Sequence, residues 1–330
     1  MNQTGPLGTH TEGLEVSDKI NKETEMAKGR RKEHLSAMAK REERWAWLFV
    51  VLPMLGFALF MIYPIVFAVI ASMSKWTGIN SLWGNMVGVK NYAKIFTDHK
   101  FWRSMANTII YMIGIPIGMI LGVSLAMALN RKLPLKRLLT TMYYVPVISS
   151  LVAVSILWAW VFNYDYGLLN TIYKAITGMH GPNWLGDENM VKVSLIIFMV
   201  WKGLGGPILL YLAGLQNIPR DYYEAAEIDG ANGWQKFRNI TIPLLSPITF
   251  YVLITSLIGG FQVFVEVQVM TPSGGPNYSS ATVVYYLFEK AFTNGQLGYG
   301  CAVAVILAII IFIITAINFW GQDKWVQTID

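Results

Sequence analysis

Two charged side chains interrupt apolar runs of this sequence: Lys202 in "MVWKGLGGP" and Glu266 in "QVFVEVQVM". An ammonium or carboxylate in hydrocarbon is costly unless paired or hydrated, so each marks a candidate path for a polar solute. The expected partner of Glu266 is Lys202 or a residue of a second subunit. Enzymatic chemistry finds less support. His10, His34, His99 and His180 are scattered, and none forms a His-Glu-x-x-His pair. Cys301 is the only cysteine, which rules out an intrachain disulfide or a thiolate metal cluster. No Gly-x-x-x-x-Gly-Lys-Ser/Thr run is present to hold a nucleotide phosphate, so any use of ATP requires another chain. The expectation is therefore no catalytic residue and no metal site.

A second feature is the polar stretch "DYYEAAEIDGANGWQKF", residues 221–237, set between two apolar runs. Asp221 reads as an N-cap, with Glu224 three residues on in an Asp variant of the capping box. Tyr222 through Asp229 then forms a helix, and Gly230 suits a left-handed stop. Asn232 reads as the cap of a second helix, with Gln235 at the matching position and an end before Pro243. On this parse Tyr223 and Ala226 share a face with Gly230, while Trp234 and Phe237 make a second apolar strip. Small residues flanked by charges fit a helix lying in another protein's groove. They also fit a well-capped connecting loop, and the residues alone leave both readings open.

The elements that carry these features are hydrophobic. Of 330 residues, 54% are hydrophobic and 14% charged, with mean hydropathy +0.43; a soluble domain carries about 25% charged residues. Six apolar stretches, near 46–73, 105–129, 139–162, 191–215, 245–270 and 299–320, are long enough to cross a bilayer. The expected fold is an all-α membrane protein with six transmembrane helices. Lys and Arg flank the first run (Lys28, Arg30, Arg31, Lys32, Lys40, Arg41, Arg44) and fill the second connection (Arg131, Lys132, Lys136, Arg137). That bias places both termini inside, N-in and C-in. The net charge of +6 is thus a topology signal, and nucleic acid is not an expected partner. Residues 1–44 read as a cytosolic extension, partly disordered, with a basic juxtamembrane segment. Residues 45–322 read as one membrane domain, and 323–330 as a cytosolic tail.

Three places in the membrane runs are candidates for a solute path. They are Tyr143 to Pro146 with Ser149 and Ser150, then Trp201 with Gly203 to Gly206, and the fifth run. In the fifth run Ser256, Gly260 and Val263 share a face, and Gln262, Glu266 and Gln268 are polar. Interrupted helices near the midplane are where transporters place their sites.

These residues resemble a known family. Glu224-Ala225-Ala226, Gly230 and Ile240-x-Ile242-Pro243 follow the cytoplasmic EAA signature of ABC importer permeases, with Ile242 where leucine is usual. The longer run "YYEAAEIDGANGWQKFRNITIPLLSP" is similar to the carbohydrate branch, the maltose-permease-like inner-membrane subunits. So are "VGVKNYAKIF", "YYVPVISSLVAVSILWAWVFNYDYGLLN" and "TPSGGPNYSSATVVYYLFEKAF"; the resemblance covers about residues 46–320. It implies a permease subunit of an ATP-driven importer that moves a sugar or oligosaccharide across the cytoplasmic (inner) membrane by alternating access. The loop 219–243 would couple it to a separate ATPase. Glu224, Ala225, Ala226 and Gly230 would form the docking surface, with Asp229 and Gly233 shaping the turn. Carried over motif by motif, substrate contacts fall on Tyr143, Gly203, Gly206, Ser256 and Gly260. Implied partners are a second permease in a heterodimer, two ABC ATPase subunits holding ATP and Mg, an extracytoplasmic sugar-binding protein and membrane lipid. The alternative is the same type of importer for a non-sugar solute such as a glycerol phosphate. A polytopic membrane enzyme would need a nucleophile–base pair or paired acids at one depth, and neither is present.

Overall fold

The structure is a computed structural model that describes residues 37–131 and 134–327. Most of the expected cytosolic extension, Lys132 and the last three residues lie outside the described residues. The chain divides into two compact units, Met1–Phe67 and Ala68–Asp330.

In the first unit, α1 (Ala37–Phe57) passes through a π-helical turn, Ala58–Ile62, into α2 (Tyr63–Ser72), which runs on past the boundary. The wide turn directly precedes Pro64, which has no N–H to donate and whose ring crowds the preceding carbonyl. Apolar side chains from Leu48 to Tyr63 are exposed all round this helix, a pattern that belongs in hydrocarbon rather than in water.

The second unit is helical, and among the described residues its only β pairing is an isolated bridge between Ser74 and Met86. Its helices are α3 (Lys90–Thr97), α4 (His99–Tyr111), α5 (Gly114–Asn130), α6 (Lys136–Ile148), α7 (Leu151–Val161) and α8 (Leu168–Thr177). They continue with α9 (Met190–Gly203), α10 (Gly205–Asn217), α11 (Arg220–Ile228), α12 (Gly233–Lys236) and α13 (Ile242–Leu244). The last four are α14 (Ser246–Phe261), α15 (Val265–Met270), α16 (Val283–Phe288) and α17 (Leu297–Gln322).

Among the described residues, Glu42–Ser72, His99–Asn130 and Leu297–Gln322 are long and apolar enough to cross a membrane, His99–Asn130 with a local interruption at Met112–Ile113. Three further spans arise if each bent pair counts as one: α6 with α7, bent by 101°, α9 with α10, by 44°, and Gly233–Leu244 with α14, by 62°. On that count the six apolar runs correspond to three spans without a sharp bend and three bent ones. Two expected continuous helices are corrected here. The run 139–162 turns sharply at Ser149–Ser150, and the run 245–270 ends at Phe261, with Gln262 to Phe264 leading into the separate α15. Paired glycines at 259 and 260 and the polar Gln262 weaken the helix at that point.

Three buried clusters hold the unit together. Phe101, Tyr286 and Val303 represent the first, joining α4, α16 and α17. Phe162, Phe198 and Val267 represent the second, joining α7, α9 and α15. Ala126, Tyr211, Leu215 and Val252 represent the third, joining α5, α10 and α14. The first is crowned by an ion-pair network in which Tyr286 Oη donates to Asp98 (2.8 Å) and Lys290 Nζ approaches the same carboxylate at 3.3 Å.

Candidate functional site

Four helix interruptions converge on one cavity of about 390 Å³. The break at Met112–Ile113 contributes Tyr111, Gly114 and Ile115; the bend at Ser149–Ser150 contributes Val147 and Leu151. The joint at Leu204 contributes Lys202, Gly203, Leu204 and Pro207, and the end of α14 contributes Ser256, Gly259, Gly260, Val263 and Glu266. The volume lies in the range of small-ligand sites, about 300–1,000 Å³. Its wall is mainly apolar and rich in glycine, so its few polar groups decide what it accepts.

Lys202 and Glu266 line this cavity together, yet no ammonium–carboxylate contact of ion-pair length joins them. Lys202 Nζ instead donates to the carbonyl of Val147 at 3.2 Å. That carbonyl is in the last turn of α6, where the bend leaves it without an intrahelical partner, and a cation at a helix C-terminus is favoured. Two of Lys202's three N–H donors remain for other acceptors.

Of the residues singled out in sequence, Gly203, Ser256, Gly260 and Glu266 line the cavity. Tyr143, Trp201, Gly206 and Gln262 do not. Tyr143 supplies the backbone oxygen against which Gly205 packs, so closely that a Cβ at 205 would run into it. Trp201 packs against Trp158 with ring centroids 5.0 Å apart and the rings tilted by 52°. Gln262 is exposed at the end of α14, its N–H bonded to the Gly259 carbonyl. Sequence reasoning missed Tyr111, Gly114 and Gly118 on the cavity wall. The signal was present in "GIPIGMILG", where Gly114 and Gly118 share a helical face at i, i+4.

The polar segment folds as α11, a turn, and a second helical stretch through α12, a π-helical turn (Phe237–Thr241) and α13. Asp221 is in the first turn of α11 rather than at its N-cap, which is Pro219 with no side-chain cap. A proline there fixes φ, and the helix starts two residues early. The second stretch does not end before Pro243. It continues to Leu244, because Pro243 falls in the first turn of α13, where its missing N–H costs little. Gly230 adopts φ +76°. Ala231 N–H bonds to the Ala226 carbonyl (2.8 Å) and Gly230 N–H to that of Glu227 (3.1 Å), a Schellman stop. Asn232 and Gln235 form a reciprocal capping box, and Trp234 lies 5.4 Å from Phe237.

On α11, Tyr223 and Ala226 are half-buried, while Tyr222, Glu224 and Ala225 face outward with Ile228, which is 87% exposed. Asp229 is the C-cap of α11, and Gly233 starts α12 with free space around it. A smaller cavity of about 250 Å³ is lined by Asn130 at the end of α5 together with Tyr223, Lys236 and Thr241. The basic connection that begins at Arg131 therefore lies at the same end of the unit as the polar segment. Among the described residues, no group of three or more His, Cys, Asp or Glu side chains is arranged to hold a metal.

Comparison with known proteins agrees with this architecture. Residues 114–325 match the family described as "Binding-protein-dependent transport system inner membrane component". The lactose transport system permease protein LacF of Rhizobium radiobacter is 35% identical over 283 residues, covering 84% of this chain and 94% of that protein. The multiple sugar-binding transport system permease protein MsmF of Streptococcus mutans is 32% identical, covering 85% and 96%. The arabinooligosaccharides transport system permease protein AraP of Bacillus subtilis is 33% identical, covering 82% and 86%. A chain in the crystal structure of a bacterial ABC transporter involved in the import of the acidic polysaccharide alginate superposes with TM-score 0.75 and 20% identity, over 88% of this chain and all of that one. A related structure of the alginate transporter, in complex with an alginate pentasaccharide-bound periplasmic protein, gives the same score. At that identity the likeness establishes the fold alone.

Proposed function

The chain belongs to the family of binding-protein-dependent transport system inner membrane components, and on that premise we propose that it is the permease subunit of an ATP-driven sugar or oligosaccharide importer. The observation that carries this reading is the meeting of four helix interruptions on one glycine-rich cavity. Backbone interrupted at membrane depth is tolerated where it lines a solute path. The relatives named for lactose, multiple sugars and arabinooligosaccharides favour a carbohydrate over the glycerol phosphate alternative.

Transport proceeds by alternating access, the cavity opening first to an extracytoplasmic sugar-binding protein and then to the cytosol. The chain acts in the cytoplasmic membrane as a multi-pass subunit, paired with a second permease. Two ATPase subunits bind ATP and Mg and carry out hydrolysis. Residues 221–237 dock on the ATPase, with the exposed Ala225 and Ile228 seated in its cleft and Gly230 setting the turn. The position of this segment beside the basic connection supports its cytosolic placement.

The test is to isolate the tagged chain from its own membranes in mild detergent and identify what co-purifies. The proposal expects a second permease and an ATPase, and a binding protein whose ligand, found on a glycan panel by calorimetry, stimulates ATP hydrolysis. Absence of an ATPase from the complex, or stimulation only by a non-sugar solute, overturns it.

A further inference from the structure

We infer that Tyr223 and Thr241 are positioning residues that lock the two arms of the polar segment into one lever. This rests on the proposed coupling role and adds to it how a push on α11 reaches the cavity. The segment is joined covalently to the cavity wall at both ends. α11 follows α10 through Ile218 and Pro219, and α10 begins beside Gly203 and Lys202. The second arm runs through the π-helical turn and α13 into α14, which carries Ser256 and Gly260.

Each arm taken alone would swing about its own joint. The turn between them, Asp229 to Asn232, is held by backbone bonds and a glycine at positive φ, and it is exposed apart from the half-buried Ala231. What spans the angle is a hydroxyl pair. Tyr223 Oη lies 3.0 Å from Thr241 Oγ1, across 18 residues of sequence. Thr241 is buried, and its hydroxyl also lies 3.4 Å from the Lys236 carbonyl, so either hydroxyl of the pair can donate to the other. The Tyr223 ring packs on the cluster of Ala126, Leu129, Tyr211 and Leu215, so the brace is seated against the core and partly shielded from water at the edge of the cavity of about 250 Å³. A hydrogen bond withdrawn from solvent holds its geometry better than an exposed one. The second link between the arms, Lys236 to Glu227 at 2.7 Å, is exposed on its acidic side and is the weaker brace.

Thr241 also sits in the π-helical turn that precedes the 62° bend into α14. A π-turn is a local wide spot where a helix yields, so a rigid tie at that residue decides whether force on α11 bends the turn or moves α14. With the tie in place, α10 and α14 are displaced together, and they carry two parts of the cavity wall. Without it, the ATPase still finds its docking face, but its motion is absorbed in the segment.

The experiment uses the full complex with its ATPase and second permease in nanodiscs. Variants are Tyr223→Phe, Thr241→Val, Thr241→Ser and the Tyr223→Phe/Thr241→Val pair. The first two are expected to retain the ATPase at wild-type stoichiometry, while stimulation of hydrolysis by the loaded binding protein falls about five-fold, the scale of one hydrogen bond. Thr241→Ser keeps the hydroxyl and restores stimulation. The double variant is no worse than either single one, because both remove the same interaction. Wild-type stimulation in Tyr223→Phe and Thr241→Val, equal loss in Thr241→Ser, or additive losses in the pair overturns the brace. Loss of the ATPase itself from these variants also overturns it, since the hydroxyls would then belong to docking. A wild-type chain that retains no ATPase removes the coupling reading, and the brace with it.

Discussion

Lys202 Nζ donates to the Val147 carbonyl across 3.2 Å, so the cation of one interrupted span closes the last turn of another. The bond explains how an ammonium is accommodated among apolar residues. It satisfies a carbonyl that the bend at Ser149–Ser150 leaves over, and it faces the same cavity as Glu266. Lys202→Met keeps the aliphatic stem and removes the donor. Leaving this partly buried carbonyl without its donor costs up to about 1 kcal/mol, so the purified complex is expected to melt at lower temperature and transport more slowly. Unchanged melting in Lys202→Met would show that water replaces the bond at no cost.

Gly205 and Gly206 are adjacent and chemically identical, yet they are expected to respond oppositely to one methyl group. A Cβ at 205 would meet the backbone oxygen of Tyr143 and the Val147 side chain, whereas 206 has nothing within 4 Å. A backbone oxygen cannot rotate away, so Gly205→Ala must push α10 off α6, at about 1–3 kcal/mol for an overpacked contact. Gly206→Ala should be neutral. Thermal unfolding of the two variants side by side gives the comparison, and equal behaviour would place the α6–α10 contact elsewhere.

The cavity wall at Gly260 has room for a methyl group but not for a ring. Its nearest neighbours to a Cβ are Ile115 at 3.5 Å and Met112 at 3.6 Å, ordinary contacts. Gly260→Ala should therefore transport normally, while Gly260→Trp and Ser256→Trp fill the space needed by the solute. The expected result is assembly at wild-type yield with uptake abolished in both tryptophan variants. Uptake at wild-type rate in both would remove this face of α14 from the solute path.

The helical, strand-free architecture was legible in the six apolar runs, because hydrocarbon demands a single pattern over a long window. The joint near 201–207 was legible too, since Lys202 and three glycines break that pattern. The bend at Ser149–Ser150 was not. Two serines amid Val, Ile and Leu are well tolerated in a helix, and only packing of α7 on α15 reveals the 101° turn. For the cavity, types without a side chain gave the least warning. Gly114 and Gly118 carry no chemistry of their own, and they line the wall by what they leave empty. Tyr143 and Gln262 are the reverse case: both have groups that suit a sugar, and neither lines this cavity. The capping box at Asn232 and the left-handed Gly230 were readable because they depend on local backbone alone.

Asp98 gives a pH dependence whose sign follows from its surroundings. Partial burial works to raise its carboxyl. The hydrogen bonds from Tyr286 and the Lys100 N–H, with the Lys290 ammonium, outweigh that and hold it below its usual value of 3.8. A carboxylate with a depressed value in the folded state stabilises fully above the unfolded value, and that stabilisation is lost as pH falls through the lowered one. The network is therefore expected to add a constant increment between about pH 7 and about pH 5, with loss only under stronger acid. Asp98→Asn should lower the melting temperature at neutral pH and flatten the acid limb of the profile. A variant whose melting profile superposes on the wild type would assign the acid limb to other carboxylates.

The polar segment offers the sharpest separation between a connector and a coupling element. If residues 221–237 only joined two helices, Ala225→Asp would be silent, since Ala225 is exposed in the isolated chain. Seated in a cleft of the ATPase, the same position is desolvated, and an unpaired carboxylate there is costly enough to break the complex. Gly230→Val acts differently. Valine is disfavoured at the observed φ of +76° by about 1–2 kcal/mol. That strain loosens the Schellman stop and lets the angle between α11 and the second arm vary. The two changes should thus part company in the assay. Ala225→Asp is expected to lose the ATPase from the purified complex, and Gly230→Val to retain it in part with hydrolysis no longer responsive to the loaded binding protein. Neither residue lines the glycine-rich cavity, so membrane insertion and binding of the second permease should persist in each. Normal ATPase retention together with normal stimulated hydrolysis in both variants would leave residues 221–237 as a connector and move the coupling contact to another part of the cytosolic face.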